Sequence, residues 1–81
     1  MSLERDILLR LYSRHVIGGK HTAFERVTSG IPRHLHGAAK ETAAQLIHEG
    51  LILQKPTHYG LQISLNPERI TDIEDIINRL E

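Results

Sequence analysis

Ile31-Pro32-Arg33-His34-Leu35-His36-Gly37-Ala38-Ala39-Lys40-Glu41-Thr42-Ala43-Ala44-Gln45-Leu46-Ile47-His48-Glu49-Gly50 is the stretch on which the fold turns. Pro32 holds Ile31 in an extended conformation. A helix then follows, from about Pro32 or His34 to Glu49. Its expected inner face is Leu35, Ala38, Ala39, Thr42, Ala43, Leu46 and Ile47. Its expected outer face is His34, His36, Gly37, Lys40, Glu41, Ala44, Gln45 and His48. Gly50 fits the left-handed position just past a helix end.

Upstream, Thr22 to Ser29 reads as a short helix with Ala23, Phe24 and Val27 inward. Thr22-x-x-Glu25 matches a capping box, and Gly30 breaks the helix. The first helix is expected from Leu3 to His15, capped by Ser2, with Leu3, Ile7, Leu8, Leu11 and Tyr12 on one face. Gly18-Gly19 is its expected stop.

Downstream, Leu51 to Lys55 is a short apolar run, and Leu61, Ile63 and Leu65 alternate with polar residues. Together they predict a β-hairpin whose tip is the five residues Pro56 to Gly60. Asn66-Pro67-Glu68 is a helix start, and Thr71-x-x-Glu74 offers a second start four or five residues on. Ile70, Ile73, Ile76, Ile77 and Leu80 complete an apolar stripe.

The expected fold class is therefore mainly α with a β-hairpin (α+β), in the order helix-helix-helix-strand-strand-helix. That is the order of a winged helix-turn-helix. The expected division is one domain over residues 1–81: a tri-helical core over about 3–49, a wing hairpin over about 51–65 and a C-terminal helix over about 67–80.

The 81 residues are 40% hydrophobic and 25% charged, an ordinary globular balance. With no cysteine, disulfides and thiolate metal sites are excluded. No window reaches the roughly 18 apolar residues of a membrane span, and no secretion segment opens the chain. The expected location is the cytoplasm, or the nucleoid if the chain binds DNA.

Formal net charge is zero, but it is unevenly spread. Residues 1–40 hold seven Lys/Arg against three Asp/Glu, and residues 41–81 hold three against seven. Such a chain can present a basic face while staying neutral. The plainer reading is that the two halves attract each other.

No nucleophile elbow, phosphate loop or zinc-protease motif is present, so no catalytic residue, cofactor or enzyme activity is expected. Asp72, Glu74 and Asp75 read as a solvated helix face. Six histidines invite a metal hypothesis. His34 and His36, however, point about 200° apart on a helix, and the others lack ligand spacing. No metal is expected.

Nucleic acid is the expected partner. The second helix of a helix-turn-helix enters the major groove with its N-terminal residues near the bases. Arg33 can chelate a guanine edge or hold a phosphate, and His34, His36 and Lys40 can add contacts. Gly37 and Ala44 keep the helix surface low. Lys55, Thr57, His58 and Tyr59 at the wing suit the backbone or minor groove. Lys20, His21 and Thr22 can hold a phosphate at a helix start. A solvated helix face, a plain turn and a plain cap are the respective alternatives. Duplex DNA is the leading partner, for a transcription regulator or chromatin-associated factor. RNA or ribonucleoprotein binding and a protein-interaction adaptor are the other readings. The leading reading of the isoleucine stripe is packing on Ile7, Leu8 and Leu11 of the first helix; the competing use is a homodimer through the first and last helices, with Leu9 and part of the stripe as its surface.

Four runs carry a resemblance: Gly18-Gly19-Lys20-His21-Thr22, Ile31-Pro32-Arg33-His34-Leu35-His36-Gly37, Lys55-Pro56-Thr57-His58-Tyr59-Gly60 and Ile63-Ser64-Leu65-Asn66-Pro67. In these the chain resembles small uncharacterised archaeal winged-helix proteins. At the level of fold alone it resembles the winged-helix cores of transcription regulators. The resemblance spans nearly the whole chain and implies the fold rather than a function. Lys20, His21, Thr22, His34, Gly37, Lys55, Thr57, Tyr59 and Gly60 match its pattern. The shortage of cations departs from strong DNA binders.

Overall fold

The computed structural model describes residues 2–79. They form a small α+β fold with three α-helices and one three-stranded antiparallel sheet. The chain runs α1 (Leu3–Ser13), β1 (Thr22–Ala23), a 3-10 turn (Phe24–Thr28), and a second 3-10 turn (Arg33–Leu35) that leads into α2 (His36–His48). A hairpin of β2 (Ile52–Thr57) and β3 (Gly60–Leu65) follows, then a 3-10 turn (Pro67–Arg69) and α3 (Ile70–Ile77). The sheet order is β1-β3-β2.

The first helix starts as its sequence dictates. Ser2 Oγ accepts from the Arg5 amide at 3.2 Å, and Glu4 and Asp6 place negative charge at the positive end of the helix dipole. Ile7, Leu8 and Leu11 are buried. The helix ends earlier than the Gly18-Gly19 pair predicts. His15 takes the left-handed position with φ 58, the only non-glycine to do so among the described residues. The Val16 amide donates to Leu11 O and the His15 amide to Tyr12 O, both at 3.0 Å. This is a Schellman closure. The early stop turns Val16 into the core and its carbonyl toward the Leu65 amide, 2.8 Å away, while the Gly18 amide returns a bond to Leu65 O.

The expected helix over Thr22–Ser29 is replaced by β1 and a 3-10 turn. Thr22 pairs with Ile63 and Ala23 with Gln62, so Thr22 is extended and makes no capping box with Glu25. A β-branched residue is at ease there. Val27 is the one residue of that turn that becomes fully buried, with Phe24 packing partly on the core.

The second helix buries Ala39, Ala43 and Leu46 completely. Ala38, expected inside, is exposed, because the inward row is set by this i, i+4, i+7 spacing. At its end the Leu51 amide reaches Leu46 O and the Gly50 amide reaches Ile47 O, with Gly50 at φ 81. The glycine stop read from sequence is thus realised as a second Schellman closure.

The hairpin is tighter than expected. β2 continues through Pro56, which pairs with Leu61, and Thr57 pairs with Gly60. The tip is therefore only His58-Tyr59, not five residues. Proline is tolerated because β2 is an edge strand, where its missing N–H need not enter a ladder. Thr57 Oγ1 closes the turn, donating to Gly60 O at 2.7 Å and accepting from the Tyr59 amide at 3.2 Å.

Asn66 is the true start after the sheet. Its Oδ1 accepts from the Glu68 amide and its Nδ2 donates to Gly50 O at 2.9 Å. The Thr71/Glu74 capping box is not formed, since Thr71 already lies inside α3. Glu74 instead accepts a 2.6 Å bond from the Tyr12 hydroxyl on α1. Ile73 and Ile77 are buried, and Ile70 and Ile76 pack partly on the core. Leu80 lies outside the described residues. The Arg5 guanidinium donates to Ile77 O at 2.7 Å, satisfying a carbonyl at the end of α3.

One apolar cluster joins these pieces: Ile7, Leu8 and Leu11 of α1, Leu46 of α2, Ile52, Ile63 and Leu65 of the sheet, and Ile73 of α3. Among the described residues the charge asymmetry contributes no ion pair between the halves. Among the described residues the only salt bridge joins Arg69 and Asp72, both of the acidic half.

Candidate nucleic-acid interface

The expected contact residues fall on three segments, and the fold treats them differently. On α2 and its lead-in, Arg33, His34, Gly37 and Lys40 are exposed. A side chain added at Gly37 would meet nothing within 4 Å. With Glu41, Ala44, Gln45 and His48 also exposed, the outer side of α2 stays bare along its whole length. The inner side is fully occupied by the core.

His36 does not belong with them. It is half-buried, and its Nε2 lies 2.7 Å from the Ile31 carbonyl. A carbonyl only accepts, so this nitrogen carries the proton and donates. The bond ties the first turn of α2 to the bend before it, which gives His36 a positioning role in the fold. His36 is the first residue of α2, and helical spacing does not show that its ring reaches back past the 3-10 turn to the Ile31 carbonyl.

At the wing, Lys55 is mid-strand opposite Gln62 rather than at the tip. Alternation along β2 puts Lys55 and Thr57 on the opposite face from Ile52 and Gln54. Ile52 is buried in the core, and Gln54 borders α2 across a groove. The side of the wing nearest α2 is therefore not the lysine side. The tip carries Tyr59, 94% exposed, with the His58 ring edge-on to it at 5.9 Å between centroids. Thr57 is committed to closing the turn.

In the third segment, Lys20 and His21 are exposed, and Thr22 is half-buried in β1. The Lys20 amide donates to Ile17 O at 3.2 Å, so it belongs to the turn that ends the Val16–Gly18 passage along the sheet. Thr22, Ile63 and Gln54 form one row across the three strands. That row separates the Lys20–Thr22 loop from the wing lysine by the width of the sheet.

Sequence reasoning missed the surface between helix and wing. Phe24, Ala44, Ile47, His48, Gln54 and Leu61 line an open groove there. Ala44 and His48 were visible as outer-face residues. Gln54, Leu61 and Phe24 join them only through strand pairing and the 3-10 turn. Among the described residues, no group of three His, Asp or Glu side chains is arranged to hold a metal, and no helix is long and apolar enough to cross a membrane.

The chain matches no protein-family model, no curated protein and no solved structure.

Proposed function

We propose that this chain is a winged helix-turn-helix domain that binds duplex nucleic acid by laying the outer side of α2 in the DNA major groove. The observation that carries the reading is the two-sidedness of α2. One side is sealed by Ala39, Ala43 and Leu46, and the other is bare from Gly37 to His48. Its 13 residues give a rod of about 20 Å. Gly37 and Ala44 keep its surface low enough for a groove about 12 Å wide. The order of elements, with a two-residue β1 pairing the hairpin strand β3, is compatible with a wing beside that helix.

In this proposal Arg33, His34 and Lys40 approach base edges and phosphates, and Lys20 and His21 hold the backbone, while Lys55, on the wing face turned from α2, lies outside the contact. The chain acts by binding, as a regulator or an architectural factor. Two copies joined through α1 and α3 would read two half-sites. Leu9, Ile70 and Ile76, all half-buried, are among the apolar residues available for that contact.

A duplex titration across salt concentrations tests this. Neutralising three phosphates with Lys20, Arg33 and Lys40 gives a log–log slope of roughly −2.7. Absence of salt-sensitive duplex binding even at low salt overturns the proposal. A second reading rests on Tyr59, whose bare ring at the hairpin tip suits stacking on an unpaired base. Single-stranded RNA that outcompetes duplex DNA, with loss of that advantage in Y59A, would favour it.

A further inference from the structure

Three arginines not used above converge on one cleft. Arg10 from α1, Arg14 at the cap that follows it and Arg26 from the 3-10 turn line it, together with the Thr22 edge of β1 and an apolar floor that includes Val16 and Val27. No acidic residue lines the cleft. Among the described residues, no carboxylate pairs with any of these guanidinium groups.

Arg10 is the most confined of the three. Its Nη1 is shut off from solvent and has no hydrogen-bond acceptor among the described residues. On its other side, a Cβ at Gly30 would lie 3.2 Å from Nη2, so the guanidinium is lodged against the Gly30 backbone. Gly30 has φ 78 and admits no side chain without strain. The head group is thus held in place while an acceptor is missing.

Guanidinium groups do not relieve such crowding by losing protons. An acceptor from outside the chain is the means that remains, a water or an anion, and the convergence of three cations favours the anion. The enclosed volume, about 20 Å³, is room for one or two water-sized atoms. It accepts oxygens of a head group and not the body of a ligand. The body has space outside, where Arg10 and Arg14 also border a shallow depression with Asp6, Leu9 and Ser13, so its far rim carries one carboxylate. A phosphate group offers three cations more acceptor oxygens than a single carboxylate does, and arginine forks fit phosphate oxygens bidentately.

We propose that the cleft between α1 and the 22–27 segment is a binding site for one phosphate group, carried either by a small phosphate monoester or by a nucleic-acid backbone. The site is distinct from the α2 surface and does not depend on the duplex-binding proposal.

The test uses the full chain at constant ionic strength. Inorganic phosphate is titrated against chloride as the control, following the arginine Nε–H resonances and the melting temperature. Saturable shifts of Arg10, Arg14 and Arg26 signals, with a raised melting temperature, are expected. R14Q and R26Q, at exposed positions, weaken phosphate binding about tenfold each. R79Q removes the same charge at an exposed position outside both the cleft and the α2 surface and leaves binding unchanged. No saturation in the wild type, or an R79Q effect as large as that of R26Q, overturns the proposal. Adding duplex DNA identifies the source. Displacement of free phosphate assigns the cleft to a backbone phosphate, and simultaneous binding assigns it to a small phosphate ester. If no duplex binds at all, the phosphate titration still decides.

Discussion

The Tyr12 hydroxyl on α1 donates a 2.6 Å hydrogen bond to the Glu74 carboxylate on α3. The bond and the carboxylate's charge raise the phenol above its ordinary value near 10. The folded state therefore holds this proton more tightly than the unfolded chain does. The resulting stability is complete below about pH 10 and is lost as pH rises through the raised value. Y12F should lower the melting temperature at neutral pH and flatten its alkaline decline. Melts between about pH 8 and 11 check this, and parallel curves for the two proteins would contradict it.

His15 occupies a left-handed backbone position that a side chain disfavours, φ 58, and its own side chain is exposed. H15G should stabilise the fold by about 1 kcal/mol. For a chain of this size that is a rise of about 4–8 °C in Tm. H15V should do the opposite. Calorimetry of the three proteins provides the comparison.

Asn66 serves two elements at once, accepting from Glu68 and donating to Gly50 at the end of α2. N66A should cost about 1–2 kcal/mol in urea denaturation. N66D keeps the accepting oxygen and loses the donor, so it should fall between N66A and the wild type.

Gly37 is exposed, helical and surrounded by open space. G37A should add about 0.5–1 kcal/mol of stability, since alanine is the better helix former. G37Q should also fold, yet weaken duplex binding about tenfold by lifting the helix from the groove floor. Duplex affinity unchanged in G37Q would remove α2 from the interface.

Arg33 and Lys40 contribute two of the three phosphate partners in the proposed complex. Replacing both with alanine should make the salt slope shallower by about 1.8. Anisotropy titrations at several salt concentrations measure it, with the melting temperature as a control for folding.

The parts of the fold visible in the chain are those decided by neighbours in sequence. The α1 stripe, the Gly50 stop and the Asn66-Pro67 start each rest on residues within about two turns of one another. The parts that escaped depend on distant partners. Thr22-Ala23 is too short to show a strand period, and it is extended because Ile63 and Gln62 lie beside it. His15 ends α1 ahead of two glycines because Val16 must meet Leu65. Of the expected contact residues, Arg33, His34, Gly37 and Lys40 are exposed together on or beside α2, as their pattern suggests. His36 bonds inward, and Lys55 shifts from tip to mid-strand once Pro56 is accepted in the edge. The arginine cleft was invisible because Arg10 and Arg26 meet only in the folded chain.

The sheet order β1-β3-β2 has a consequence for how this chain behaves among its own copies. An open strand edge is a template for aggregation. One edge here is β1, two residues long and too short to template a neighbour. The other is β2, where Pro56 supplies no amide and Lys55 adds a charge. Leu53 and Tyr59 can thus stand exposed on the hairpin without inviting strand-by-strand polymerisation. P56V, which restores a donor to that edge, is the substitution most apt to turn a dispersed protein into a fibre-forming one.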